Sequence, residues 1–437
     1  MHRAINGTIL GFAAAVAACL VTASITLAAP EGTKRGTGTV ASGGMAEWPQ
    51  YRGPEADGST AETVKPWSGE LKVLWKIPVG DAFGSFAVSG GKAFLFTEHE
   101  SDKEACFAYD ANTGNQLWAT DIDKTINEHQ GGNGPRSTPA ISGDHVYVLG
   151  TYLKLTCLNA ADGSVVWSHD LQSEYSGQNN TDSIVQWGNA ASPIVEGDRV
   201  IVAGGGAGET YLAFDKTSGK LLWKSGTDKI THASPTPATI HGQRQIVFFM
   251  QSGLVSINPE NGKELWRQKF TFKVSTAASP VVGGDIVYCS AGYNVGAGAF
   301  RVEKSGDKWS TKELWKTPKE NQNHWTTALY RDGYLYGLYG FKQFKTEPLK
   351  CLDIRTGKEI WSKEGFGQGG LILAGKNILV QGDQGQLVLA EATPKGYHEL
   401  AQAKPLSGKA WQMAVVAEGK IFARTSDHGE AVCLEAK

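Results

Sequence analysis

Ala108-Tyr109-Asp110-Ala111-Asn112-Thr113-Gly114, then three residues, then Trp118, is the stretch on which the fold turns. A small residue such as Ala108 lets neighbouring sheets approach closely. Asp110 can accept hydrogen bonds from backbone two residues on and so shape a turn. Gly114 supplies the positive φ that such a hairpin needs. Trp118 begins the next strand and offers a large flat surface to an adjacent sheet. The pattern returns as Cys157-Leu158-Asn159, Gly163 and Trp167, and as Ala213-Phe214-Asp215, Gly219 and Trp223. It returns again as Ser256-Ile257-Asn258, Gly262 and Trp266, and as Cys351-Leu352-Asp353, Gly357 and Trp361. Trp315 ends a degenerate copy, Trp75 ends an isolated first strand, and a further position near Ala401 has lost its Trp.

Hairpin turns upstream of each motif give a second, independent count. They are Gly90-Gly91, Gly143-Asp144, Gly197-Asp198, Gly242-Gln243, Gly284-Asp285, Asp332-Gly333, Gly375-Lys376 and Gly419-Lys420, each leading into an apolar strand. Both counts converge on eight units. All-strand units of about 40–50 residues are propeller blades, and no helical period competes. The chain stops after Cys433-Leu434-Glu435 without a final Gly and Trp, while the strand Leu71-Val73-Trp75-Ile77 has no blade before it. The expected fold is therefore an all-β, eight-bladed propeller of four-stranded antiparallel blades. Its ring is closed by the N-terminal strand, which removes free sheet edges.

The motif resembles the tryptophan-docking repeat of the quinoprotein (PQQ-binding-like) propeller superfamily, over nearly all of residues 71–437. Trp48-Pro49-Gln50-Tyr51-Arg52-Gly53-Pro54 also resembles a segment that precedes many bacterial propellers of this group. The resemblance implies one of two functional classes. One comprises PQQ-dependent dehydrogenases; the other comprises non-enzymatic, BamB-like propellers of outer-membrane protein assembly. Fold alone does not choose between them.

The dehydrogenase class carries adjacent cysteines, a Ca²⁺ held by acidic and amide side chains, and an Asp base. This sequence has no Cys-Cys pair, and that ligand set does not map onto it. H-E-x-x-H, C-x-x-C, Walker A and G-x-S-x-G patterns are also missing. Gly204-Gly205-Gly206-Ala207-Gly208 links two strands and precedes no helical pattern, so it reads as a hairpin. Cys157, Cys351 and Cys433 occupy the motif's small-residue position in separate blades, too far apart to bridge. With Cys106 and Cys289 they read as buried free thiols. The expectation is a non-catalytic binding scaffold with no cofactor, PQQ with Ca²⁺ being the alternative.

Net charge is −2, and no Lys/Arg run marks a nucleic-acid or anionic-membrane footprint. His2 and Arg3 precede an apolar stretch from Ile9 to Ala29, with small residues before Pro30. Residues 1–29 read as a secretory signal; a retained membrane anchor and lipidation at Cys19, within Val16-Ala17-Ala18-Cys19, are the alternatives. Residues 30–46 read as a flexible linker and 47–437 as the propeller, with no later stretch able to span a membrane. The implied setting is periplasmic or secreted, as a monomer, with an envelope protein or small ligand as partner.

In a propeller the innermost strand of each blade lines the channel, and the loop leading into it sits on one face. Those loops carry His129, Arg136, Trp187, Asn189, His232, His324, Trp325, Gln368, Trp411 and Gln412. Two readings stand: a polar and aromatic binding pocket at the channel mouth, or side chains that plug the channel and hydrogen-bond one another. The histidines come from different loops without ligand spacing, so no metal site is read.

Overall fold

Turn chemistry organises this molecule. In the computed structural model, which describes residues 46–126, 131–178, 187–272, 274–341, 345–427 and 429–436, the Asp110 carboxylate accepts from the backbone N–H of Asn112 and of Thr113, each at 2.9 Å. Asp215 and Asp353 act the same way on Thr217/Ser218 and Arg355/Thr356. Residues 1–45, which hold the expected secretory signal, Cys19 and nearly all of the expected linker, and His129 lie outside the described residues.

The described strands form eight sheets running from channel to rim, seven of four strands and one of five. Blade 1 is Ala87–Ser89, Lys92–His99, Lys103–Asp110 and Gln116–Lys124, joined antiparallel. Blades 2 to 7 follow in the same order, their four consecutive strands falling within residues 140–170, 194–225, 236–269, 281–318, 329–363 and 370–403, and blade 8 is Val415–Ala417, Lys420–Arg424 and Gly429–Glu435. Its fourth, outermost strand is Val73–Val79 from the other end of the chain, pairing antiparallel with Gly429–Glu435. The ring thus closes as the sequence led us to expect.

In seven blades a small residue on the third strand faces a Trp on the fourth: Ala108–Trp118, Cys157–Trp167, Ala213–Trp223, Ser256–Trp266, Ala299–Trp315, Cys351–Trp361 and, across the closure, Cys433–Trp75. Six of these indoles donate to a backbone carbonyl of the next blade, while Trp266 donates to Gln245 Oε1 of its own blade. Trp75 Nε1 donates to Ala111 O at 3.1 Å, Trp118 to Ala160 O at 3.2 Å and Trp315 to Ile354 O at 2.8 Å. The motif glycine lies under that indole. A Cβ on Gly163 would stand 2.6 Å from Trp118 Cε3, and one on Gly262 2.5 Å from Trp223 Cε3. Glycine is therefore needed twice, for its positive φ and for the ring that covers it. The five described cysteines are buried with free thiols.

Blade 7 departs from the pattern by exchanging sizes: Leu389 faces Ala401. Without that indole, the acceptor on blade 8 is met from elsewhere. Lys65 N donates to Ala436 O at 3.2 Å, next to buried Val64, and Trp67 Nε1 donates to Gln402 O at 3.1 Å. The segment ahead of the closing strand thus clasps the one joint that lacks a docking Trp.

Further upstream the chain plugs the channel at the end carrying the inner hairpin turns. Trp48, fully buried, exchanges backbone hydrogen bonds with Val88 of blade 1. Pro49 O accepts from Ile141 N of blade 2, and Gln50 Oε1 from Val195 N of blade 3. Arg52 donates to Thr327 O and Ala328 O beside blade 6. Ser59–Thr60 pairs parallel with Gly370–Ala374 of blade 7, and Ala46 O accepts from Glu418 N of blade 8. Inner-strand N–H groups that would otherwise lack partners meet acceptors from this segment. The Trp-Pro-Gln-Tyr-Arg-Gly lead-in is a stopper for the ring, a role its sequence did not reveal.

Candidate functional site at the channel mouth

With the hairpin-turn end closed, the channel opens at the other end into a cavity of about 250 Å³. Its floor is Tyr51 of the plug, whose hydroxyl lies 3.5 Å from Thr327 Oγ1. Above it runs a belt of hydroxyls joining inner strands. Ser85 N donates to Thr138 Oγ1, Thr138 N to Ser192 Oγ, Ser192 N to Ser234 Oγ and, farther round, Ser279 N to Thr327 Oγ1, all at 2.9–3.0 Å. These hydroxyls accept backbone protons from the preceding blade, and so fix the spacing of the strands that carry the loops.

The walls come from loops between blades. Trp187 faces His232 with ring centroids 5.8 Å apart, and His232 Nδ1 lies 2.8 Å from Ser275 Oγ. Opposite, Trp325 stacks on Trp411 at 4.6 Å and 28°. Trp325 is pinned by its Nε1 donating to Gln368 O at 3.2 Å. His324 packs against Trp325 at 4.6 Å and Tyr293 at 4.9 Å. Phe83 continues the arc from Trp411 at 5.9 Å. Arg136 lies over one part of this arc, 5.0 Å from the Phe83 centroid, with Nη1 and Nη2 on Gly134 O and Gly132 O. Lys409 Nζ sits 3.8 Å from the Trp411 centroid and 4.8 Å from that of Phe83, and donates to Gly131 O at 2.9 Å. Burial lowers the Lys409 pKa from the ordinary amine range; Asp427 and Asp81 oppose that shift, and Arg136 adds to it.

The structure brings Arg136, Trp187, His232, His324, Trp325, Trp411 and Gln412 together around one cavity. It places Asn189 and Gln368 outside the lining. Asn189 is buried and braces its own turn, accepting from Ala191 N and donating to Ala191 O. Gln368, also buried, donates its amide to Glu347 Oε1. Gln412 reaches the lining while bonding Arg424 O and Ser426 Oγ. Tyr51, Phe83, Tyr293 and Lys409 were not read from sequence. Phe83 and Lys409 stand in inter-blade stretches like the others, and that position was their only signal.

An eight-bladed, Trp-docked ring with one stoppered end and an aromatic mouth defines a PQQ-like propeller. Residues 72–330 match the family described as outer membrane protein assembly factor BamB, and the chain belongs to that family. The BamB of Yersinia pestis is 22% identical over 241 residues, which are 45% of this chain and 60% of that relative; the chain thus spans under two thirds of its length. Among solved structures, BamB from Moraxella catarrhalis matches with TM-score 0.58 at 14% identity, over 83% of this chain and 97% of that one. Quinohemoprotein alcohol dehydrogenase from Comamonas testosteroni matches with TM-score 0.62 at 13% identity, over 89% and 80%. These two likenesses establish the shared fold.

Proposed function

We propose that this protein is an exported propeller of the bacterial envelope that works without catalysis, as a scaffold in outer-membrane protein assembly. The single observation that carries this reading is the open, aromatic channel mouth, rigidly held by the hydroxyl belt and facing away from the plug. Aromatic anchors around a concave centre are what a partner's loop or a small ligand engages. Family membership supports the assembly role, since the relatives are assembly factors by name. The setting is periplasmic, and among the described residues no helix is long and apolar enough to cross a membrane.

The residues fit a calcium-bound quinone poorly. Ca²⁺ takes six to eight oxygen ligands, and no carboxylate is among the described residues lining the cavity. Asn189, an amide of the type that would serve, is turned into its own backbone.

The test is a pull-down from envelope extract with captured proteins identified. Wild-type protein captures components of the assembly machinery. Trp187→Ala and Trp325→Ala each lose that capture while keeping the wild-type melting temperature. Unchanged capture by both variants removes the site, and capture of no assembly component removes the assembly role. Dye-linked dehydrogenase activity after adding PQQ and Ca²⁺ would reverse the non-catalytic reading.

A further inference from the structure

We infer that the channel-mouth cavity selects a carboxylate-bearing ligand with a small apolar body, and that the plug residue Arg52 helps to set this preference from below. The inference rests on the mouth being the binding site, as proposed above.

Charge supplies the first argument. Among the described lining residues Arg136 is the one with a permanent charge, and Lys409 stands at the rim above Phe83 and Trp411. Beneath the floor lies a third cation. Arg52 is 2% exposed, and its guanidinium donates to three backbone carbonyls, Asp57 O at 2.7 Å, Ala328 O at 3.1 Å and Thr327 O at 3.3 Å. The Asp57 carboxylate turns instead to Ser59 N and Oγ. Burial lowers the Arg52 pKa, outweighing the opposing pull of Tyr51 and Asp57, so the charge is poorly neutralised where it sits. A cation in a closed, low-dielectric shaft projects its field toward the open end. That end is the cavity, because Thr327 and Tyr51 belong both to its lining and to the surroundings of Arg52.

Hydrogen bonding supplies the second. Ser192 Oγ and Ser234 Oγ accept backbone N–H groups, so each retains a hydroxyl proton to donate. Both are more than nine-tenths buried and line the cavity. Donors buried beside cations suit an anionic oxygen. The apolar lining around them suits a small ring or alkyl body.

The probes are benzoate, benzyl alcohol and benzylamine, which share a ring and differ in charge. Titration calorimetry on the full chain at low salt gives benzoate binding at least tenfold tighter than benzylamine, with added salt weakening benzoate more than the alcohol. Lys409→Met and Arg136→Met each weaken benzoate at least fivefold and leave the alcohol unchanged. Arg52→Met does the same where it folds; the two rim variants keep the test decisive where it does not. Equal affinity for benzoate and benzylamine, binding of none of the three, or rim variants that leave benzoate unaffected overturns the inference. Benzoate that also competes with the envelope partner assigns the carboxylate to that partner's acidic side chain; benzoate that binds without competing assigns it to a free molecule. Partner capture that is lost in the Trp187 and Trp325 variants while benzoate shows no preference leaves the site standing and sinks only the ligand class.

Discussion

Gly163→Ala and Gly143→Ala form a matched pair within blade 2. Both glycines have positive φ, +76° and +58°. A methyl at Gly143 meets nothing within 4 Å, whereas one at Gly163 would stand 2.6 Å from Trp118 Cε3 and 2.7 Å from Thr120 Oγ1. Left-handed backbone costs an alanine roughly 1–2 kcal/mol at either place. Forcing a methyl into a filled space adds roughly 1–3 kcal/mol, because Trp118 is held by its bond to Ala160 O and cannot withdraw freely. We therefore expect Gly143→Ala to cost about 1–2 kcal/mol and Gly163→Ala about 2–5 kcal/mol. The assay is urea denaturation followed by tryptophan fluorescence. Shortening the clashing ring with Trp118→Leu in the Gly163→Ala background should make the double loss smaller than the sum of the single losses by about 1 kcal/mol or more. Equal losses for the two glycines, or strict additivity with Trp118→Leu, would refute the claim that the turn glycine serves the neighbouring blade's indole.

Removing residues 71–79, which include the outer strand of blade 8, should lower the melting temperature far more than removing residues 30–45; equal melting temperatures would contradict closure by Val73–Val79. Trp48→Ala should cost about 3–5 kcal/mol, the usual loss for a buried Trp, and a loss below about 1 kcal/mol would deny the plug a part in stability. Glu104, fully buried and bonded to Thr151 N and Oγ1, has its pKa raised to about 7, chiefly by burial. The folded state therefore keeps this proton after the unfolded chain has lost it. Stability falls as pH rises from the ordinary carboxylate range through about 7, and Glu104→Gln should flatten that slope; an unchanged profile counts against it. The five described thiols should react with a thiol reagent only after unfolding, since burial raises the pKa of each; rapid labelling of native protein would be inconsistent.

The ring was legible because its grammar is local. Asp110, Gly114 and Trp118 lie within one hairpin, and their neighbours in the next blade repeat them. Even the lost Trp at Ala401 could be placed by spacing. Its compensation could not, because Leu389 opposite it is unremarkable in a strand, and the Val64–Trp67 clasp arrives from more than 300 residues away. The mouth was half legible. Loop position singled out Trp187, Trp325 and Trp411, which the structure places in the cavity lining, yet it could not tell lining from bracing. Asn189 and Gln368 look like ligand-binding amides, and only three-dimensional placement shows their hydrogen bonds going to Ala191 and Glu347. Lys409 escaped notice because an isolated lysine in a polar loop is ordinary; the rings beneath it give it meaning.

The stopper also sets a timetable. Residues 46–60 are synthesised before any blade, yet their acceptors meet donors in blades 7 and 8, made after the other six, as when Gly58 O takes Leu373 N and Ala46 O takes Glu418 N. A nascent or translocating chain must hold Ser59–Thr60 and the strand Val73–Val79 without their sheet partners until blades 7 and 8 have emerged. Such widely separated pairings are slow to form and leave sheet edges sticky meanwhile. A prematurely terminated product would carry an orphaned stopper and an open circle, marked for disposal by its own unpaired edge.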